Sequence, residues 1–289
     1  MATLIKALCV SASVRTVTRA TLLVAAAFGS AVVPEALAAS AEPATKAATA
    51  LPNDYQVIEL RRYALVPNER ANFARYFEAW FPEAFQQLGA ITFGEFFDRR
   101  DADTFTWLRG FHDMDERARA NQAFYYGPVW KEHKAPLNDR LIDHTNTLLL
   151  KPLDSAHRIA VLPSLDPVME TKGASGIVVA QVMRAAPGRI DELAASAPVA
   201  FEGYRASGVR EAGVLVTLDA PNNFPALPFR TDGPYLIWLG IVRDARMLEA
   251  LQPLLSAGAA RFAAAGLVQG EPELMVLDPA PRSRLRWVQ

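Results

Sequence analysis

Two arginines and two glutamates stand among aromatic residues at strand-like spacing in the first half of the chain, and they are the residues best suited to hold a ligand. Glu59, Arg61 and Tyr63 occupy alternate positions of one segment. Phe105, Trp107, Arg109 and Phe111 do the same in another, and Glu95 shares a third with Ile91, Phe93 and Phe97. A guanidinium grips a carboxylate or phosphate through a planar fork of N–H groups, and aromatic faces add stacking and apolar contact. His112, between Phe111 and Asp113, is the candidate catalytic residue, because an imidazole titrates near neutrality. Each assignment has a plainer rival. Arg/Glu pairs at strand ends are often exposed ion pairs worth under about 1 kcal/mol, and a histidine at a helix start is often part of the cap.

Other chemistries lack their residues. The single cysteine is Cys9, and no HxxxH or HExxH spacing joins His112, His133, His144 and His157, so no metal site is expected. Phosphate-loop, dinucleotide-fingerprint and serine-elbow motifs are all missing. With 30 Lys+Arg against 31 Asp+Glu and no basic-aromatic stripe, nucleic acid is not an expected partner. No cofactor is expected. Haem stays open as an alternative, with His133 or His144 as its axial ligand.

Residues 1–38 read as a signal peptide. Lys6, Arg15 and Arg19 precede an apolar run from Ala20 to Val33, and Ala36-Leu37-Ala38 is a small-residue cleavage site. The run is too short to span a bilayer comfortably. A periplasmic or secreted protein is expected, with a mitochondrial presequence as the alternative and no membrane span after cleavage. Residues 39–54 form a small, polar, disordered lead-in.

The remainder reads as one βαββαβ unit written twice. Residues 55–152 hold the first copy: strands at 57–63, 91–97, 104–111 and about 147–150, a helix from Pro67 to Leu88 bent at Pro82, and a second helix from Asp113 to about Trp130. Residues 153–175 are a linker, 176–278 the second copy and 279–289 a tail. Pro67 to Pro187 spans 120 residues and Gly89 to Gly208 spans 119, whereas Trp107 to Trp238 and Asp113 to Asp244 both span 131. The step falls at one insertion, the loop 219–233, which is a candidate lid over the barrel mouth or equally a surface that packs on a neighbouring subunit. The fold class is therefore α+β: two tandem ferredoxin-like repeats packed sheet to sheet as a closed barrel.

On this layout Ile58 and Leu60 are assigned to the helices, and Glu59, Arg61, Tyr63, Glu95, Trp107 and Arg109 to the barrel interior. The second copy carries Val179, Gln181, Met183 and Gly240 at the corresponding positions, so the polar set belongs to one half only. Arg117 and Arg119 are assigned to ion pairs with Asp115 and Glu116 on their own helix. Trp130 is expected to lock the helix end onto the sheet.

Glu59-Leu60-Arg61-Arg62-Tyr63 followed by Pro67, the run from Trp107 to Arg117, and Gly127-Pro128-Val129-Trp130 resemble the NIPSNAP family. The resemblance covers residues 55–152, with a weaker likeness over 176–278. It implies a dimeric α/β-barrel fold and no defined activity. The wider superfamily of such barrels includes haem enzymes and cofactor-free monooxygenases.

The functional expectation is an exported protein that binds a small polar or anionic molecule at Glu59, Arg61, Tyr63, Glu95, Trp107 and Arg109. Two alternatives stay open: a cofactor-free or haem-assisted oxidoreductase, and a protein–protein interaction module using the Phe224–Phe229 patch. A homodimer is also left open.

Overall fold

The computed structural model describes residues 53–288. The expected signal peptide, residues 1–38, and nearly all of the expected lead-in lie outside the described residues. The first repeat runs β1 (Val57–Leu65), α1 (Arg70–Trp80), α2 (Pro82–Gln87), β2 (Ile91–Asp98), β3 (Thr104–Phe111), α3 (Met114–Tyr125), α4 (Pro128–Asn138) and β4 (Leu141–Pro152). The second runs β5 (Ile177–Arg184), α5 (Ile190–Ala206), β6 (Arg210–Thr217), β7 (Tyr235–Val242), α6 (Ala245–Ala264) and β8 (Glu273–Pro279).

The eight strands close in the order β1-β3-β2-β8-β5-β7-β6-β4. Within each repeat this is the ferredoxin-like order, fourth-first-third-second. Two short seams join the repeats: Phe96–Asp98 of β2 pairs with Leu277–Pro279 of β8, and Leu150–Pro152 of β4 pairs with Leu215–Thr217 of β6.

Matching details mark the two halves as copies. Asp113 and Asp244 are both extended N-caps whose carboxylates accept the backbone N–H three residues on, from Glu116 and Met247. Gly89 and Gly208 end the preceding helices at the same φ of +89°, a conformation that favours glycine. Each second strand carries a bulge at its start, between Thr92 and Gly94 and between Glu211 and Gly213.

Local chemistry sets the helix ends. Phe73, Phe77, Phe81 and Phe85 recur every four residues and are all buried, so a single stripe of rings crosses α1 and α2. Pro82 starts α2 and breaks the run, as its missing N–H requires. The helix expected from Asp113 to Trp130 is two helices. It stops at Tyr126, and Gly127-Pro128 starts α4, where proline at the first position costs no hydrogen bond. The strand β4 begins earlier than expected, at Leu141.

The facing of the strands is the reverse of the expectation. Ile58, Leu60, Leu108, Val178, Ala180, Ile237, Leu239 and Leu277 form one buried cluster with strand residues of both repeats and no helix residue, which identifies it as the barrel interior. Tyr63, Phe105 and Trp107 instead pack with Phe73, Phe77, Phe81, Phe85 and Phe124 of the helices. Polar residues placed inside the barrel thus lie beneath the helical layer. The bulge in β2 also splits the group Ile91, Phe93, Glu95 and Phe97: the first two stay in the interior cluster, whereas Glu95 and Phe97 pair with Trp107 and Phe105 on the helix side. Ile159 and Val161 of the expected linker, and Leu285 of the tail, join the interior cluster.

Candidate ligand pocket beneath the first helical layer

The strand register builds the floor of the site. Glu59 pairs with Arg109 and Arg61 with Trp107 across β1 and β3, and Glu95 lies on the far side of Trp107. Glu59 Oε2 accepts from Arg61 Nη1 at 2.8 Å and from Arg109 Nε at 2.7 Å, while its Oε1 accepts from Arg117 Nε at 2.6 Å. All four side chains have 0% exposure. Burial alone would raise the Glu59 carboxyl, but Arg109, Arg61 and Arg117 outweigh it and hold the group below the usual carboxylate range.

One carboxylate therefore serves three guanidiniums, and no other carboxylate among the described residues lies within ion-pair distance of them. Tyr63 Oη accepts from Arg61 Nε at 3.0 Å, and Asn223 Oδ1 accepts from Arg117 Nη1 at 2.7 Å. Arg61 Nη2, Arg109 Nη1 and Nη2, Arg117 Nη2 and Trp107 Nε1 are buried with no hydrogen-bond partner among the described residues. A buried donor left unmade costs about 1–3 kcal/mol, and more when charged. The cluster is a concentration of unspent donors and positive charge.

A pocket of about 370 Å3 adjoins it. Its walls include Tyr63, Phe77, Phe85, Trp107, Tyr125 and Trp130. The guanidinium of Arg61 sits 5.5 Å and 5.8 Å from the rings of Tyr63 and Trp107, and that of Arg109 lies 5.2 Å and 5.3 Å from Trp107 and Phe85. The end of the pocket formed by those rings thus abuts the arginines. Tyr125 lies in the same field, its phenol raised by burial despite the opposing pull of Arg109 and Arg61.

The roof comes from the second repeat. Phe224, Ala226 and Leu227 of the inserted loop line the pocket, and Phe224 stacks on Tyr125 at 5.8 Å. Asn222 and Asn223 of the same loop both accept from Arg117 Nη1. The loop covers a pocket under the helices rather than a barrel mouth.

Several residues fall elsewhere than expected. Arg117 does not pair along its own helix. It lies on the buried stripe Arg117, Ala120, Asn121, Phe124 and reaches Glu59. Trp130 packs against Phe81, Phe124 and Tyr125 as part of α4. His112 is drawn away from the pocket: Nε2 lies 2.8 Å from Asp54, Nδ1 lies 2.6 Å from Glu116, and the ring stacks on Tyr55. His133 is tied outside to Tyr76 and Trp80. His144 is on the pocket wall, its pKa lowered by burial and by Arg61. Glu95 is 3% exposed, forms no salt bridge and is pushed up to about 8 by burial and by Glu78.

The second repeat lacks this arrangement for a visible reason. Gly240 replaces Arg109, and the indole of Trp238 folds over it, 2.1 Å from where a Cβ would stand. Trp238 Nε1 donates to Glu211 Oε2 at 3.0 Å, whereas Trp107 Nε1 has no acceptor. Gln181, in place of Arg61, bonds Tyr204 and the Leu255 carbonyl.

The fold and this pocket define a duplicated ferredoxin-like α/β barrel with an aromatic cavity beside a buried arginine cluster under its first helical layer. Residues 58–156, which hold most of the first repeat, match the NIPSNAP family. A putative monooxygenase from Fusobacterium nucleatum shares 10% identity at a TM-score of 0.54, covering 81% of this chain and 97% of that one. Another from Lactobacillus acidophilus shares 9% identity at 0.52, covering 81% and 99%. An uncharacterised NIPSNAP-like domain protein from Burkholderia xenovorans is 22% identical over 34% of this chain and 84% of its own, at a TM-score of 0.31. No curated protein matches the chain in sequence. At these identities the likeness establishes the fold alone.

Proposed function

We propose that this protein is exported and binds a small organic anion with an aromatic or apolar body in the pocket of its first repeat. The observation that carries the reading is the single Glu59 carboxylate facing three buried guanidiniums beside an aromatic cavity. The cavity lies at the small end of the roughly 300–1,000 Å3 typical of ligand sites. Its apolar walls supply affinity, and Arg61 and Arg109 supply the selection for charge. Export rests on the sequence of residues 1–38.

A monooxygenase-like reaction is the second reading, favoured by the two structures that share the whole duplicated barrel. Haem fits this pocket poorly. His144 is the one histidine on its wall, and about 370 Å3 is a space for a molecule of one or two rings rather than a macrocycle. Native mass spectrometry of protein purified without added ligand tests the main reading. The expected result is a small stoichiometric adduct that Arg61→Ala loses while the variant stays folded. Oxygen uptake on adding that ligand would separate an enzyme from a carrier. Binding that survives both Arg61→Ala and Arg109→Ala sinks the proposal.

A further inference from the structure

The charge count at the floor is specific enough to say more about the ligand. Three guanidiniums and one carboxylate leave a surplus of two positive charges in a cluster with no solvent exposure. Leaving buried charge uncompensated is among the costliest things a fold can do, at about 3–5 kcal/mol when one partner of a pair is missing. Arg117 has a neutral outlet, since Asn222 and Asn223 take its Nη1. Arg61 has only Tyr63 Oη, which takes its Nε, and Arg109 has no neutral acceptor among the described residues: the donors left over on the two are Arg61 Nη2 and both Nη atoms of Arg109. Because both side chains converge on one oxygen, Glu59 Oε2, their free edges belong to one small region. Trp107 Nε1 adds a fourth donor from a side chain that lines the pocket.

We infer that the ligand carries a compact doubly charged anionic head, such as a phosphate monoester or a vicinal dicarboxylate, on an aromatic body of one or two rings. A compact head fits the arginines' convergence on one oxygen, and a double charge matches the surplus. Phe77, Phe85, Trp107, Tyr125 and Phe224 enclose the body. This inference rests on the proposed binding role of the pocket, so its test must separate the two.

Three probes of one shape do so: naphthyl phosphate, naphthyl sulfate and naphthol, titrated calorimetrically into the purified protein. The phosphate is close to doubly charged at pH 8, with a second pKa near about 6, whereas the sulfate stays singly charged. The expected order is phosphate over sulfate by about tenfold or more, and sulfate over naphthol. The phosphate advantage should shrink at pH 5. The sulfate serves as the reference for changes arising from His144 on the wall or from Glu95 and Glu78 beneath α1. Arg109→Met should remove the advantage, and the probe series on the unaltered protein decides the matter if that variant does not fold. Equal binding of phosphate and sulfate, both tighter than naphthol, overturns the double charge and leaves the binding role intact. Failure of all three to bind, or binding of naphthol as tight as the others, overturns both.

Discussion

Replacing Glu95 with glutamine should make the protein more stable, and increasingly so as the pH rises. Glu95 is buried beside Glu78, with Arg282 and Arg284 too weak to compensate and Glu83 adding to the repulsion, so its carboxyl is pushed up to about 8 from an ordinary 4.5. A raised folded-state pKa means that the folded protein holds a proton which the unfolded chain releases. The stability it contributes is fully present below about pH 4.5 and is lost as the pH climbs to about 8. At about 1.4 kcal/mol per pH unit, that interval of roughly 3.5 units amounts to about 5 kcal/mol at most. Glutamine keeps the shape of the protonated acid and cannot ionise. Urea unfolding of both proteins at pH 5, 7 and 9 measures the difference. The two should lie within about 1 kcal/mol of each other at pH 5, and the variant should lead by several kcal/mol at pH 9. In a chain of this size each kcal/mol moves Tm by about 2–4 °C, so thermal melts would show the divergence as well. Parallel pH profiles would refute the reasoning, because they would mean that Glu95 ionises in the folded protein as easily as in the unfolded one.

Glu59→Gln should destabilise the protein by about 3–5 kcal/mol, because three buried guanidiniums lose their common counter-ion. Denaturant melts with and without phosphate would show whether an added anion restores part of that loss. Gly89→Ala and Gly208→Ala share the same backbone strain, about 1–2 kcal/mol, but only at Gly89 would the new Cβ meet a neighbour closely, the Glu116 carboxylate at 2.2 Å. The Gly89 variant should therefore be the less stable of the two by equilibrium unfolding.

The fold was legible because it is written twice. Gly89 and Gly208, Asp113 and Asp244, and Trp107 and Trp238 keep their spacing on either side of one insertion, and the glycine and aspartate pairs have the same structural role in both copies. The candidate residues were legible as a group too: Glu59, Arg61, Tyr63, Trp107 and Arg109 do meet. The side on which they meet was not. Alternation reports which residues share a face, but a barrel strand roofed by helices is buried on both, as β3 and β7 are along their whole length. Polarity then no longer marks the outside. The ring stripe Phe73, Phe77, Phe81, Phe85 was the available clue, since aromatic strand residues pack most readily against aromatic helix residues. Arg117 was missed for a similar reason. Its nearest acidic neighbours suggested a surface pair, while its spacing of three, four and seven residues from Ala120, Asn121 and Phe124 put it on the buried stripe. The bulge at Thr92–Gly94, which turns Glu95 to the helix side, has no sequence mark beyond one glycine.

Two seams close the barrel, and they have a bearing on how anything gets in. To part the repeats would strip the backbone pairing from β2, β8, β4 and β6 at once, exposing four unpaired edges in a single event. A clamshell motion of one half against the other would therefore be costly, and buried apolar side chains from both repeats pack the interior. The proposed site lies outside the barrel instead, where a loop supplied by one half rests on a pocket built by the other through Phe224, Leu227 and two asparagine contacts. For the proposed ligand, movement of that loop would alter one wall of the pocket and so bear on both arrival and departure. Stiffening that segment would slow entry and exit together and leave the equilibrium nearly where it was.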